Sequence, residues 1–305
     1  MIPDGVRGEL ERALGDRVQF AVPLSRHTSL RVGGPAGAIA APADRDELAR
    51  LLDVCSRHDI PQVVLGSGFN AIAPDSGFDG VVIRLNSWRR LEEEASGCLR
   101  AEAGVSHAQI TNFCVERGLS GLEFACGIPG SVGGWIAMNA GIPEREMKDA
   151  VLEVEVVEPN GAAPKRLRRD ELDFSYRALR GLADGALILS ALFEVRAESP
   201  ERVKAEVERL LAKRSDAQPL NRPSCGSVFK NPPGDFAGRL IESVGLKGRR
   251  VGGAEISQRH ANFITNLGGA TAADVLALIE EAQKQVYDAT GIRLLPEVRI
   301  LGRTA

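Results

Sequence analysis

A chain of 305 residues is long for one hydrophobic core, so two domains, or one domain with an elaboration, are expected. Hydrophobic residues at 44% and charged residues at 26% are the balance of a folded globular protein, and a net charge of −3 gives no general attraction to nucleic acid or anionic lipid. Aromatic residues, at 5%, do not support a base-stacking surface, and the basic run Lys165-Arg166-Leu167-Arg168-Arg169 reads as a solvated loop or strand end.

Taken from the start, Met1 to Gly5 lacks the basic start and apolar stretch of a signal peptide, and no apolar run reaches the length of a bilayer span. Ala36 to Ala41 is small and apolar and predicts a strand. Asp44-Arg45-Asp46-Glu47 predicts a capping box, with Asp44 capping a helix and Glu47 returning to the cap amide; Leu48, Leu51, Leu52 and Cys55 share the buried face. Ile60 to Leu65 is a second strand, giving a βαβ opening. Ser106 and Gln109 repeat the start signal for a helix that buries Ile110, Phe113 and Cys114 and stops at Gly118. Strands are expected over Val151 to Val157 and Ala186 to Val195, beside turns at Pro159-Asn160-Gly161 and Asp184-Gly185. The domain boundary falls at Ser199-Pro200, an N-cap and a first helical position, before Val203, Val207, Leu210 and Leu211 at helical spacing. A second strong helix starts at Thr271 with Asp274, carries Val275, Leu278, Ile279, Ala282 and Val286, and stops at Gly291. Ile292 to Leu301 closes the chain as a strand with Val298 and Ile300 on one face and Glu297 and Arg299 on the other.

Cys55, Cys98, Cys114, Cys126 and Cys225 form no C-x-x-C pair and are odd in number, so they read as free thiols in a reducing cytoplasm. The four histidines share no helix-face spacing with a cysteine or carboxylate, and no metal is expected.

Two glycine-rich loops stand out. Gly66-Ser67-Gly68-Phe69-Asn70-Ala71 fits G-x-G-x-x-G/A, but that fingerprint needs a helix next, to present its N-terminal amides to a pyrophosphate. Pro74, Asp75, Gly77, Asp79 and Gly80 follow, then the strand-like Val81-Val82-Ile83, which excludes a Rossmann unit. Gly127-Ile128-Pro129-Gly130-Ser131-Val132-Gly133-Gly134 clears side chains from a ligand's path, and consecutive amides in such a loop form an anion-holding nest. It lacks the Gly-Lys-Ser/Thr of an ATP phosphate loop. Two such loops suggest a long cofactor held by loops of a different fold; a pair of tight turns in a β-rich domain is the alternative that the residues leave open.

Set in order, these segments resemble the UDP-N-acetylenolpyruvoylglucosamine reductase (MurB) family. The resemblance rests on Thr28-Ser29-Leu30-Arg31-Val32-Gly33-Gly34, Leu65 to Asn70, and Gly127 to Gly141. It continues through Gln218-Pro219, Gly226-Ser227-Val228-Phe229-Lys230-Asn231-Pro232, Ala237-Gly238-Arg239-Leu240-Ile241-Glu242, Gly252-Gly253-Ala254, His260-Ala261-Asn262-Phe263 and Pro296-Glu297-Val298-Arg299. It runs from about residue 20 to residue 302, and the short span from Arg177 to Ser227 is similar to the branch without a tyrosine-bearing insertion.

The resemblance implies an α+β fold of the vanillyl-alcohol-oxidase (PCMH) type. Residues 1–198 would form a two-lobed FAD-binding region, split near residue 85, and residues 199–305 a substrate-binding α+β domain. FAD would be non-covalent, with NADPH as reductant and a UDP-sugar as substrate, and neither nucleic acid nor membrane as partner; the oligomeric state is not legible. Arg31, Gly66, Ser67, Gly68, Phe69, Asn70, Gly130, Ser131, Gly133 and Gly134 would contact FAD, with its pyrophosphate on the amides of 66–70 and 130–134. Arg177 matches the family arginine that holds the enolpyruvyl carboxylate, suited by its planar guanidinium. Glu297 matches the glutamate beside it, whose protonated or hydrogen-bonded carboxyl stabilises the enol, and Ser227 the proton donor. Lys230, Asn231 and His260 would contact substrate or nucleotide phosphate.

Taken singly, each has a plainer reading: Ser227 closing a turn after Gly226, Arg177 at the surface, Glu297 paired with Arg299, His260 structural. As a set within matched motifs they favour the catalytic one. Two positions depart from the family: Leu179 stands for a serine two places after the arginine, and Trp135 is bulkier than the expected small residue, which bears on loop geometry near FAD. Three rivals remain. An alcohol or sugar oxidase of the same fold would not need Arg177, Ser227 and Glu297 together. A non-catalytic flavin protein would not need all three intact, and a nicotinamide-only dehydrogenase would need the missing helix after Gly68.

Overall fold

Apolar residues at helical spacing fold as α1 (Asp4–Leu14), α2 (Arg45–Arg57), α3 (His107–Arg117), α4 (Val132–Ala137), α5 (Pro200–Ala217), α6 (Ala237–Ser243) and α7 (Ala272–Thr290). The structure, a computed structural model, describes residues 2–95, 97–219 and 221–302. The chain divides into two compact units, residues 1–20, 38–67 and 80–214 in the first, and 21–37, 68–79 and 215–305 in the second. No helix among the described residues is long and apolar enough to cross a membrane.

The first unit has two cores. In one, Val6, Leu10 and Leu14 of α1 and Leu48, Leu51, Leu52 and Cys55 of α2 pack with Val81 and Ile83. The sheet there runs Val18–Phe20, Ala36–Ala40, Phe78–Ile83, Gln62–Val64 in spatial order. The expected βαβ opening is therefore not a pair of neighbours, because Phe78–Ile83 lies between the two strands and pairs in parallel with Gln62–Val64. Asp44 caps α2 as expected, accepting from the Glu47 amide at 2.9 Å. The Glu47 carboxylate does not return to the cap: it pairs with Arg17 and accepts from the Ala43 amide at 2.8 Å, since a guanidinium competes better than a second amide.

The other core lies on a five-stranded antiparallel sheet, in the order Lys165–Arg168, Val151–Val157, Leu187–Glu194, Cys98–Glu102, Leu91–Ala95. Ile110 and Cys114 of α3 and Val132, Trp135 and Ile136 of α4 pack against it. The full capping box of Ser106 and Gln109 and the left-handed Gly118 (φ 62°) match expectation. Arg45 on α2 grips Glu155 of this sheet with two bonds, 2.7 and 2.8 Å. Burial pushes the Glu155 carboxyl up, but Arg45 outweighs it and holds the group below its ordinary value. Residues of α5 up to Arg214 belong to this unit; Val203 and Val207 are buried, while Leu211 is 42% exposed rather than on the buried face.

In the second unit an antiparallel sheet runs Ser224–Ser227, Phe263–Asn266, Ala254–Ile256, Arg250–Val251. Leu240 and Ile241 of α6 and Val275, Leu278, Ile279, Ala282 and Val286 of α7 form its core with Leu30, Val32 and Ile72. The capping box of Thr271 and Asp274 and the left-handed Gly291 (φ 73°) bound α7 as expected, and Asp75 adds two more acceptors, to the Ala272 amide (2.8 Å) and the Ala273 amide (2.9 Å). The expected closing strand is short. Only Arg299–Ile300 is a strand, paired in parallel with Ala71–Ile72, because Pro296 has no amide to donate and its neighbours bond to Val228 and Lys230. The five cysteines are free, and burial pushes the Cys55, Cys114 and Cys225 thiols up to about 12.

Candidate active site

The first unit brings two of the proposed cofactor segments together. A Cβ on Gly66 would lie 3.0 Å from the Ser131 Oγ. The second glycine run is not a loop throughout: it opens α4 at Val132, so Gly133 and Gly134 lie in its first turn. The Val132 and Gly133 amides donate to the carbonyls of Val105 and Ala103, each at 3.0 Å. Gly133 therefore contributes close packing, as its Cβ would meet the Ala103 Cβ at 3.0 Å. Gly134 is different, for a Cβ there meets nothing within 4 Å. The fold would accommodate a side chain at 134, and its absence leaves room for a ligand laid against the loop. Gly130 turns the chain at φ 135°. Trp135, 2% exposed, points into the core and donates from Nε1 to the Ile128 carbonyl at 3.2 Å, so its bulk braces the loop instead of filling the space above it.

Arg177 also lies in the first unit, in the turn of a hairpin that pairs Ser175 with Ala178, at φ 57°. Its guanidinium is held from three sides. Nη1 donates to the Asn139 carbonyl (3.4 Å) and Glu146 Oε1 (3.2 Å), and Nη2 to the Gly141 carbonyl (3.1 Å). The Arg177 side chain is only 17% exposed, which sets aside the surface reading. Leu179, two residues on, packs against the core of the sheet.

Ser67 is the last residue of its segment in the first unit, and the remaining proposed residues lie in the second. Gly68 (φ 73°) is a position only glycine fits, since a Cβ would come within 2.3 Å of the His27 carbonyl oxygen. Ser29 Oγ sits 2.8 Å from the Gly68 carbonyl and 2.7 Å from that of Ser224, sharing one proton between them. Phe69 is 37% exposed, and Arg31 is exposed at φ 60°. Asn70 Nδ2 donates to the Glu297 carbonyl at 3.1 Å.

Ser227 ends a strand at an irregular register after Gly226 (φ 76°). The next carbonyl, of Val228, accepts from the Glu297 amide at 2.8 Å, so the backbones of Ser227 and Glu297 run side by side. The Lys230 amide donates to the Leu295 carbonyl (2.9 Å) in the same ladder. Asn231 uses Oδ1 to accept from the Ala237 amide at the start of α6 (3.0 Å). His260 Nδ1 accepts from the Asn262 amide at 3.2 Å, and its ring meets Phe263 edge-on at 5.0 Å. Burial, helped by Lys247, pushes the His260 ring below its ordinary value, and the neutral ring then carries its proton on Nε2.

Several residues of this machinery were not singled out from sequence. Asn262 clamps the segment after Ser227, accepting from the Phe229 amide (2.9 Å) and donating to its carbonyl (2.8 Å). It lay inside a matched motif, the one signal available. Asn139 lay likewise inside the matched Gly127 to Gly141 segment, whereas Glu146, which also holds Arg177, had no local pattern to mark it. Arg214 lies against the Gly127 loop, where a Cβ would come within 2.7 Å of its Cδ; burial pushes its guanidinium down to about 10.

A family model described as FAD binding domain matches residues 36–163, and one described as UDP-N-acetylenolpyruvoylglucosamine reductase, C-terminal domain, matches residues 218–301. The open space over Gly134 and the meeting of Gly66 with Ser131 fit such a cofactor. The chain is 46% identical over 284 residues to the UDP-N-acetylenolpyruvoylglucosamine reductase of Heliobacterium modesticaldum, which covers 92% of this chain and 89% of that one. It is 44% identical over 299 residues to that of Geobacter metallireducens, at 98% and 99% coverage. Among solved structures, UDP-N-acetylenolpyruvylglucosamine reductase from Thermus caldophilus is similar at TM-score 0.81 and 36% identity, over 93% of this chain and 98% of that one. Phl p 4.0202, a glucose dehydrogenase, shares the fold alone, at TM-score 0.51 and 14% identity over 65% of this chain and 45% of that one. The fold is the α+β, two-lobed vanillyl-alcohol-oxidase type with a further C-terminal α+β part, and the chain belongs to the UDP-N-acetylenolpyruvoylglucosamine reductase family.

Proposed function

We propose that the protein reduces the enolpyruvyl group of UDP-N-acetylglucosamine-enolpyruvate to give UDP-N-acetylmuramate, a step of peptidoglycan precursor synthesis, with NADPH as reductant and FAD held non-covalently. In this reading residues 1–198 hold the cofactor and residues 199–305 bind the UDP-sugar, in the cytoplasm. Supporting it most directly is the 2.8 Å bond from the Glu297 amide to the Val228 carbonyl, which runs Ser227 beside Glu297 in a chain of this family.

Bound FAD, reduced by NADPH, supplies the hydride that adds to the terminal carbon of the double bond. Charge then develops on the neighbouring carbon and its carboxylate. Arg177 binds that carboxylate, and its fixed guanidinium stabilises the charge more in the transition state than in the substrate. Glu297 stabilises the enol form. The Ser227 hydroxyl, a weak acid beside a strong carbon base, gives its proton to that carbon and recovers one from solvent. Gly66, Ser67, Gly68, Phe69, Asn70, Gly130, Ser131, Gly133, Gly134 and Arg31 line the cofactor, with Gly133 acting by its missing side chain because its amide is committed to Ala103. Lys230 and His260 contact the substrate, as does Asn231 by its amide nitrogen, since its oxygen caps α6.

The test is the visible flavin spectrum of the purified protein under anaerobic conditions, first with NADPH and then with the enolpyruvyl-UDP-sugar. Bleaching followed by recovery establishes both half-reactions and the substrate class. Bleaching without recovery keeps a flavoenzyme and discards this substrate, and a colourless protein that takes up no FAD overturns the reading.

A further inference from the structure

We propose that Glu146, fixed by Asn139, is a positioning residue that sets the orientation of the Arg177 guanidinium toward the substrate carboxylate. The inference rests on the reading of Arg177 given above.

An arginine in the turn of a hairpin has a long side chain with many rotamers, and little of its binding energy survives unless that freedom is removed before substrate arrives. Here the removal is specific. Glu146 Oε1 accepts from Arg177 Nη1 at 3.2 Å, while Oε2 accepts from Asn139 Nδ2 at 2.9 Å and pairs with Lys148 Nζ at 3.1 Å. The carboxylate is thus clamped before it clamps the arginine. Asn139 is fully buried and held at φ 41°, in the left-handed region that asparagine adopts more readily than most non-glycine residues.

The Asn139 side chain has no freedom left: Oδ1 accepts from the Lys148 amide (3.0 Å), and Nδ2 donates also to the Ser175 carbonyl (3.0 Å). Ser175 pairs with Ala178 across the turn that carries Arg177, so one buried amide ties the hairpin and the Glu146 segment into a single frame.

Electrostatics and positioning make opposite predictions. A carboxylate beside Arg177 weakens the field that attracts an anionic substrate, so on charge alone its removal would tighten binding. A glutamate kept there for orientation makes its removal slow the reaction.

Glu146→Gln, Glu146→Asp, Arg177→Met and the Glu146→Gln/Arg177→Met double variant are compared as FAD-loaded proteins in stopped-flow absorbance. Affinity for UDP-N-acetylmuramate is measured by calorimetry. For Glu146→Gln the expected result is unchanged flavin reduction by NADPH and reoxidation by substrate slowed about 10- to 100-fold. Glu146→Asp, which keeps the charge but draws it back, falls between it and the parent protein. In the Arg177→Met background, Glu146→Gln adds no further loss, the mark of two residues acting as one unit. If Arg177→Met abolishes reoxidation but Glu146→Gln leaves its rate unchanged or merely tightens product binding, the positioning role is overturned and the reading of Arg177 stands. If Arg177→Met reoxidises at the parent rate, both fall. Equal loss of both half-reactions in Glu146→Gln and Glu146→Asp makes Glu146 a general structural residue and also overturns the proposal.

Discussion

At the scale of single residues, two glycines of the proposed cofactor segments do opposite things. Gly68 is required by the fold: its φ is 73° and a Cβ would lie 2.3 Å from a backbone oxygen. Gly68→Ala is expected to cost at least about 2 kcal/mol, read as a lowered thermal midpoint, from left-handed strain and overpacking together. Gly134 is tolerated by the fold and exposed to open space. Gly134→Ala should keep or raise the midpoint, by up to about 1 kcal/mol as a helical Gly-to-Ala change, while weakening FAD retention. A variant that retains FAD as the parent does would remove Gly134 from the cofactor site. Ser227→Ala belongs to this scale too. It should keep flavin reduction by NADPH and lose substrate reduction, and equal loss of both half-reactions would end the proton-donor assignment. The sequence supplied the names of these residues through matched motifs. Asn139 and Gly141 lay inside the matched Gly127 to Gly141 segment, but nothing local said that they or Glu146 grip Arg177, because they stand 38, 36 and 31 residues away from it.

At the scale of elements, helix ends were the most legible features and strand ends the least. Caps are local: Ser106 with Gln109, Thr271 with Asp274, and the glycines at 118 and 291 sit within four residues of the groups they satisfy. Where a distant partner intervenes, the local pattern misleads, as with Glu47, which Arg17 draws away from the cap. Asp75 is the converse case. Nothing near residue 75 announces that its carboxylate caps a helix beginning at Ala272, yet it accepts from two amides there. Asp75→Ala should destabilise by about 1–2 kcal/mol, measured in urea, by taking both acceptors from the start of α7. An unchanged midpoint would show that water replaces the carboxylate without loss. The closing segment was misread for a similar reason: alternation from Ile292 to Leu301 predicted a strand, but which edge those amides meet depends on Val228 and Lys230.

At the scale of the whole molecule, acid sensitivity follows from two half-buried histidines, one in each unit. Burial pushes His107 below its ordinary value, with Arg214 adding to the effect, and His260 moves the same way through burial and Lys247. The unfolded chain then takes up protons at a higher pH than the folded one. This contribution to stability is complete above about pH 6.5 and is lost as pH falls toward the depressed values of the folded rings. The thermal midpoint should decline on acidification below about pH 6.5, less steeply in His260→Gln, and a flat profile would exclude the effect.

The sequence by itself determined helices α2, α3, α5 and α7 with most of their caps, the absence of a dinucleotide helix after Gly68, and, through ordered motifs, the family. These are local or matched one position at a time. Only the tertiary structure decided that residues 21–37 and 68–79 fold with the C-terminal part, that Trp135 points inward, and that Glu297 runs beside Ser227. Each depends on which surfaces and backbone amides meet across tens to hundreds of residues. Hydrophobic pattern fixes which face is buried, but the partner it is buried against is set by the packing of the whole chain.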